Sequence, residues 1–505
     1  MRRPQLNVLS FMVCGAMLIA SCSSSAAEDT GSTEPQRNAA DVEVTEVEAG
    51  LGAPSGESDG NDHVSASSDE AALPTGVDDS EPDDAELENF RYASGDAATL
   101  FDPDVVHTFE IELTDDALAE LDADPSAEEY VEGSLTFDGE TLDRVGVRYK
   151  GSIGAFVGCT SGPNPLQPDG PKTCTKLSLK LKINWDGADT EFYGQRRVQL
   201  HSMNLDQSMM RDRLGYEMFR QMGVAAPRST HARVVVNGEF VGVFALVEQV
   251  DGRFTRDRFE DGTGNLYKEV WPFDFDGNVR SADELIDGLE TNEDEDPTVD
   301  IVQSFAQELL DSGAPTDAEA ARRVLAERTD LEALMSYAVV DRAIRHDDGP
   351  FHWYCFENPC EPHNFFIYEE PDTQRIHMIA WDLDNALQLS NPVTTIADGW
   401  GETQNDCQTF PHGPIGLPQR SAACDPFVAA WALLDTEYER IDAEFRAGPF
   451  APANVRELLT TWSAQIEPLV AEAAELHDDA VSVEQWNQAL QRLIDDFVVP
   501  AEVES

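Results

Sequence analysis

Strict alternation of polar and apolar residues marks the start of the folded part of the chain. Val105–Leu113 alternates, Ser134–Phe137 leads into an Asp138-Gly139 turn, and Leu142–Tyr149 resumes the pattern, so strands are expected there. Lys176–Ile183 alternates over eight positions and predicts a strand with Lys176, Ser178, Lys180 and Lys182 on one face. Met210, Leu214, Met218 and Met222 recur at helical spacing, which predicts a helix over 209–222 stopped by Gly223. His231–Val236 and Phe240–Val247 flank Asn237-Gly238, the clearest hairpin signal in the chain. The first half therefore reads as mostly antiparallel sheet with one helix. Beyond it the period becomes helical over Thr298–Asp311, Asp317–Arg328 and Leu331–Arg345, and again over 426–446, 454–476 and 483–498. Two short strands, Asn364–Tyr368 and Arg375–Ile379, lie between these groups. The expected class is α+β: a sheet-rich lobe, a helical lobe and a cleft between them.

Composition narrows the function. The chain has 505 residues, 41% of them hydrophobic, with 34 Lys and Arg against 97 Asp and Glu and a formal net charge of −63. That is enough apolar material for a core, and the charge repels phosphate backbones, so nucleic acid is not an expected partner. A basic patch for anionic lipid is equally disfavoured. Between Glu28 and Arg91 there are 19 acids and two arginines, so most of the excess charge lies in the folded part. It reads either as a solvated acidic surface or as sites for divalent cations.

The first residues read as a processing signal: Arg2 and Arg3, an apolar run from Leu6 to Ala20, then Ile19-Ala20-Ser21-Cys22, which matches a bacterial lipobox. The expected organisation is a signal peptide at 1–21, an acidic tether at 22–95 too poor in apolar residues to fold, a first lobe at 96–265 and a helical lobe at 266–505. Lipidated Cys22 would hold the protein on the outer face of a bacterial membrane, at the cell surface or in the periplasm. Cys14 lies in the signal, and the six other cysteines suit an oxidising compartment. Sequence proximity suggests the pairs Cys159–Cys174, Cys355–Cys360 and Cys407–Cys424 among fifteen connectivities. His346, Cys355, Cys360 and His363 do not have a standard zinc spacing.

Several segments carry candidate chemistry. Trp381-Asp382-Leu383-Asp384 follows an apolar strand, and two carboxylates at i and i+2 on a strand end can approach one divalent ion. Asp347 and Asp348, in the turn after a helix, offer a base or a turn cap. Asn364 offers a side-chain carbonyl to a metal. The lysine strand is a positive island in an acidic protein, suited to a phosphate or simply to solvent, and Lys150-Gly151-Ser152-Ile153-Gly154 can turn backbone N–H groups toward phosphate. No G-x-S-x-G, H-E-x-x-H or G-x-x-x-x-G-K-[ST] pattern occurs, and Asp274–Asn278 lacks the later residues of a calcium loop.

In order along the chain, Val147-Arg148-Tyr149-Lys150-Gly151-Ser152, Lys176–Lys182, Met210-Arg211-Asp212-Arg213-Leu214, Asn237–Val243, Leu246–Asp251, Asn265-Leu266-Tyr267-Lys268, His363-Asn364-Phe365 and Trp381–Asp384 resemble the spore-coat CotH kinase family. The resemblance implies an atypical protein-kinase-like two-lobed fold, with ATP and Mg²⁺ or Mn²⁺ between the lobes and phosphate transfer to Ser or Thr of an acceptor protein. Carried over by position, Lys176 or Lys180 would contact phosphate, with Arg148, Gly151, Ser152, Glu217 and Glu248 around the nucleotide. Glu217 would be the lysine's partner. Asp348 or its neighbour Asp347 would serve the catalytic loop, and Asn364, Asp382 and Asp384 would hold the metal. Two insertions depart from the family pattern, Val157–Pro171 after the glycine loop and Gly349–Pro362 before Asn364. A silent surface or coat-associated binding lipoprotein on the same scaffold is the alternative, and a calcium-dependent carbohydrate-active protein a more distant one.

Overall fold

A computed structural model describes residues 97–498 except 152, 163–167, 188–189, 294–296, 356–359, 390–398 and 413–415. The expected signal peptide, Cys22, the tether and Ser152 lie outside the described residues. Seven strands close into a barrel: β1 (His107–Leu113), β2 (Val131–Phe137), β3 (Glu140–Tyr149), β4 (Leu179–Lys182), β5 (Arg197–His201), β6 (Ser229–Val236) and β7 (Glu239–Val247), in the spatial order β1-β2-β3-β4-β5-β7-β6. Every pairing is antiparallel except the closing one, in which β1 runs parallel to β6 with Phe109 opposite Val234. The barrel is thus mostly antiparallel, as expected, and that seam is its parallel pairing. The period-2 alternation sends Phe109, Ile111, Leu135, Phe137, Leu181, Leu200, Val234 and Leu246 into the barrel, where all are buried. The outward residues of β3, β4 and β5 form one row, Arg148 opposite Lys180 and Lys180 opposite Gln199.

Among the longer helices, α1 (Asp115–Ala123) and α2 (Arg211–Gln221) come first. Asp206 starts α2 by accepting hydrogen bonds from the amides of Met210 and Arg211 at 2.8 and 2.9 Å. Leu214, Met218 and Phe219 of α2 are fully buried in the core that α2 shares with the later helices, each burial contributing roughly 1.5–3 kcal/mol. After α3 (Gly252–Arg258) come α4 (Asp300–Asp311), α5 (Ala318–Arg328) and α6 (Leu331–Ala343). Asp317 and Asp330 cap α5 and α6. Residues Leu334–Asp341 of α6 are buried all round, as expected of a helix through the middle of a core.

A second sheet, in the order β11-β10-β8, joins β8 (Leu266–Lys268), β10 (Phe365–Glu370) and β11 (Arg375–Ala380). A third sheet involves β9 (Trp353–Tyr354), β12 (Phe410–His412) and β13 (Leu417–Arg420). The segment expected as one helix at 426–446 is two, α7 (Pro426–Ala432) and α8 (Asp435–Ala447), before α9 (Pro452–Leu476) and α10 (Val483–Leu493). The three expected disulfides, Cys159–Cys174, Cys355–Cys360 and Cys407–Cys424, are all formed. The mixed α+β class holds. No helix among the described residues is long and apolar enough to cross a membrane.

Candidate active site

Four elements bring charged side chains together beside the barrel. The first is the end of β3. Lys150 continues its ladder by donating its amide to the carbonyl of Ser178, 2.9 Å away. Its ammonium is largely withdrawn from water and donates to Gln199 Oε1 at 2.6 Å and His201 Nε2 at 2.9 Å, both on β5. It also lies over the Trp381 ring, 5.4 Å from the centroid. Burial pulls the Lys150 ammonium down to about 8, and the positive charges of Lys180 and Lys268 act in the same direction, against the pull of Asp382.

The second element is the loop after β11. The Asp382 amide donates to Tyr216 Oη of α2 at 3.0 Å, and its carbonyl lies 3.0 Å from His346 Nε2. Asp382 adopts φ +49°, a left-handed turn that swings two carboxylates into one neighbourhood. Arg211 Nη1 donates to the Asp384 carbonyl at 2.9 Å. Neither the Asp382 nor the Asp384 carboxylate accepts a hydrogen bond from a described residue. Burial raises Asp382, and burial plus the charges of Asp382, Asp212 and Asp348 raises Asp384 strongly. Carboxylates so crowded and so poor in donors fit a cation.

The third element is the turn after α6. Asp348 is partly exposed, and its carboxylate accepts from Tyr354 Oη at 2.5 Å and Asn385 Nδ2 at 3.3 Å. Asp347 is fully buried beside Arg345, with Oδ1 lacking any donor, and burial pushes it up to about 7. The geometry separates two neighbours that sequence left interchangeable: Asp348 faces the cluster and Asp347 the interior. The fourth element is the start of β10. Asn364 Nδ2 donates to the Asp348 carbonyl at 3.0 Å, which leaves its side-chain oxygen for another partner. No group of three or more His, Cys, Asp or Glu among the described residues forms a ready cage for an ion.

The remaining expected residues sit as follows. Lys180 acts electrostatically on both Lys150 and Glu290 and belongs with the cluster. Lys176 does not: its ammonium donates to the Val243 carbonyl at 2.9 Å and lies near Phe244. The reason is that the β4 ladder begins only at Leu179, so the alternation does not carry Lys176 onto the face of Lys180. Glu217 is also corrected. It is taken up by Arg220 and by Gln221, 2.7 Å away, at the far end of α2. Glu248 is bound by Arg228 and by Arg258 at 2.8 Å, so its side chain is committed there. Arg148 pairs with Glu128, whose other oxygen accepts from the Gly151 amide at 2.7 Å. This pair fixes the start of the glycine loop. Sequence reasoning missed Lys150 as a charged group, together with Gln199, His201 and Asp212. In the sequence Lys150 stands beside a glycine turn and β5 shows no long alternation, so no local signal singles these side chains out.

A family model described as CotH kinase protein matches residues 147–498, well over half of the chain. Inner spore coat protein H of Bacillus subtilis (strain 168) is 33% identical over 67 residues, which is 13% of this chain and 18% of that protein.

Proposed function

This chain belongs to the CotH kinase family, and from that premise we propose that it is an exported, lipid-anchored protein kinase that transfers the γ-phosphate of ATP to Ser or Thr of an exported protein. The barrel with α2 is the nucleotide-holding lobe of a two-lobed kinase-like fold, and the helices with β10 and β11 are the other. The observation that carries the reading is the juxtaposition of a half-buried ammonium, Lys150, with the donor-poor carboxylate of Asp382, which in turn acts on its neighbour Asp384. Lys180 and Lys268 also act on Lys150 through their charges, so this part of an acidic protein is locally positive. The name of the Bacillus relative, a coat protein, supports a destination outside the cytoplasm.

In this reading Lys150 and Lys180 hold the phosphate oxygens, and Asp382, Asp384 and Asn364 hold Mg²⁺ or Mn²⁺. The ion, when bound, neutralises charge on the transferred phosphoryl. Asp348 is oriented by Tyr354 and Asn385 and takes the proton of the acceptor hydroxyl as its oxygen bonds to phosphorus and ADP leaves. Arg148 and Glu128 keep the backbone of the glycine loop in place. The test is incubation of the purified protein with γ-labelled ATP and Mg²⁺ or Mn²⁺. Labelling of the protein or of an added acceptor, lost in Asp382→Ala, supports the kinase. Failure of the wild type to bind nucleotide or label any acceptor supports the silent binding scaffold.

A further inference from the structure

Lys150 is not held by a carboxylate. Its two hydrogen-bond partners, Gln199 Oε1 and His201 Nε2, are acceptors on β5. The ammonium has only protons to give, so His201 Nε2 must carry none. The other ring nitrogen, Nδ1, lies 3.1 Å from Asp212 Oδ2 and must therefore carry the proton and donate it. Of the two neutral tautomers, only the Nδ1–H form satisfies both contacts. Asp212 is 3% exposed and sits in the first turn of α2, where the helix N-terminus favours its negative charge. The imidazole is fixed from the side as well by its edge contact with Trp381, with ring centroids 6.1 Å apart.

We infer that His201, locked in the Nδ1–H tautomer by Asp212, is the positioning residue that aims Lys150 into the phosphate site. The inference rests on the reading of Lys150 as a phosphate-binding group. A carboxylate touching Lys150 would compete with phosphate for the ammonium. An imidazole directs the ammonium without setting a carboxylate in hydrogen-bond contact with it, and Asp212 stays one ring away. The chain Asp212–His201–Lys150 also ties the lysine to α2. The same helix contacts the metal loop through Tyr216 and Arg211, so one rigid element sets both halves of the site.

The experiment combines imidazole ¹⁵N NMR of His201 with the affinity and steady-state constants for Mg-ATP. The wild type should show the Nδ1–H tautomer. Asp212→Asn, nearly isosteric, presents an amide that can donate to Nδ1. It should move His201 toward Nε2–H and raise KM for ATP by about tenfold or more, the factor a charged hydrogen bond carries. His201→Ala should do the same, while His201→Gln, whose carbonyl can still accept from Lys150, should recover most of the affinity. A wild type in the Nε2–H form overturns the inference. So does ATP affinity within twofold of wild type in both Asp212→Asn and His201→Ala. A wild type that shows Nδ1–H but binds no nucleotide upholds the clamp on Lys150 and refutes the phosphate reading instead.

Discussion

Replacing Lys150 by methionine tests whether the cation beside the acidic loop is as buried as the structure makes it. Burial brings its proton affinity from the ordinary 10.5 to about 8. Below pH 8 the ammonium is charged in both folded and unfolded chains, and the full cost of burying it is present. Between about 8 and 10.5 the unfolded chain binds the extra proton, so stability must rise with pH over that window. The gap corresponds to about 3 kcal/mol as an upper value. Urea unfolding of wild type and Lys150→Met at pH 7, 8, 9 and 10 gives the difference directly, because the titrations they share cancel. One shared group is Lys176, which burial also brings down to about 8, on a different face of the barrel. The wild type should gain up to about 3 kcal/mol relative to the variant across the window. Stabilisation by Mg-ATP should vanish in Lys150→Met and persist in Lys176→Met. Parallel stability curves would refute the burial argument, and the reverse pattern of nucleotide responses would refute the choice of lysine.

Other consequences are as direct. Asp384→Asn should raise the melting temperature of the protein without ligand, because it removes one of several mutually repelling carboxylates, and should abolish any melting shift from Mn²⁺ with ATP; calorimetry reads both. Asp348→Asn should lower phosphate transfer by about 10²–10⁴-fold in a labelling assay, the usual worth of a positioned base. Asp347 is held protonated by burial up to about pH 7, so the wild type should lose up to about 4 kcal/mol as pH rises from about 4 to 7, and Asp347→Asn should flatten that loss in pH-dependent urea unfolding. Gly215→Ala places a methyl 2.6 Å from Leu383 Cδ1, so it should push α2 off the Asp382–Asp384 loop, cost about 1–3 kcal/mol in chemical denaturation and weaken nucleotide binding.

What was legible in the sequence followed the strength of its periodic signals. The Asn237-Gly238 hairpin and α2 were visible because turn residues and apolar spacing agreed locally. The three disulfides followed from the proximity of their cysteines along the chain. Barrel closure was not visible, because the parallel contact of β1 with β6 joins residues more than a hundred positions apart and leaves no local trace. Asp382 and Asp384 could be singled out together because both lie on one short loop. Lys176 falls off the face of Lys180 because only four of the eight alternating residues, Leu179–Lys182, form the β4 ladder. Lys150, His201 and Asp212 come from three separate elements, and only their meeting in space gives them chemical meaning.

The central claim is that a metal–nucleotide complex is clamped between Lys150 and the Asp382–Asp384 loop. Isothermal titration of ATP into the protein, with and without Mn²⁺, tests it most directly. The account predicts binding that requires the ion and is lost in both Lys150→Met and Asp382→Asn. Equal binding in those variants, or binding indifferent to the ion, would contradict it.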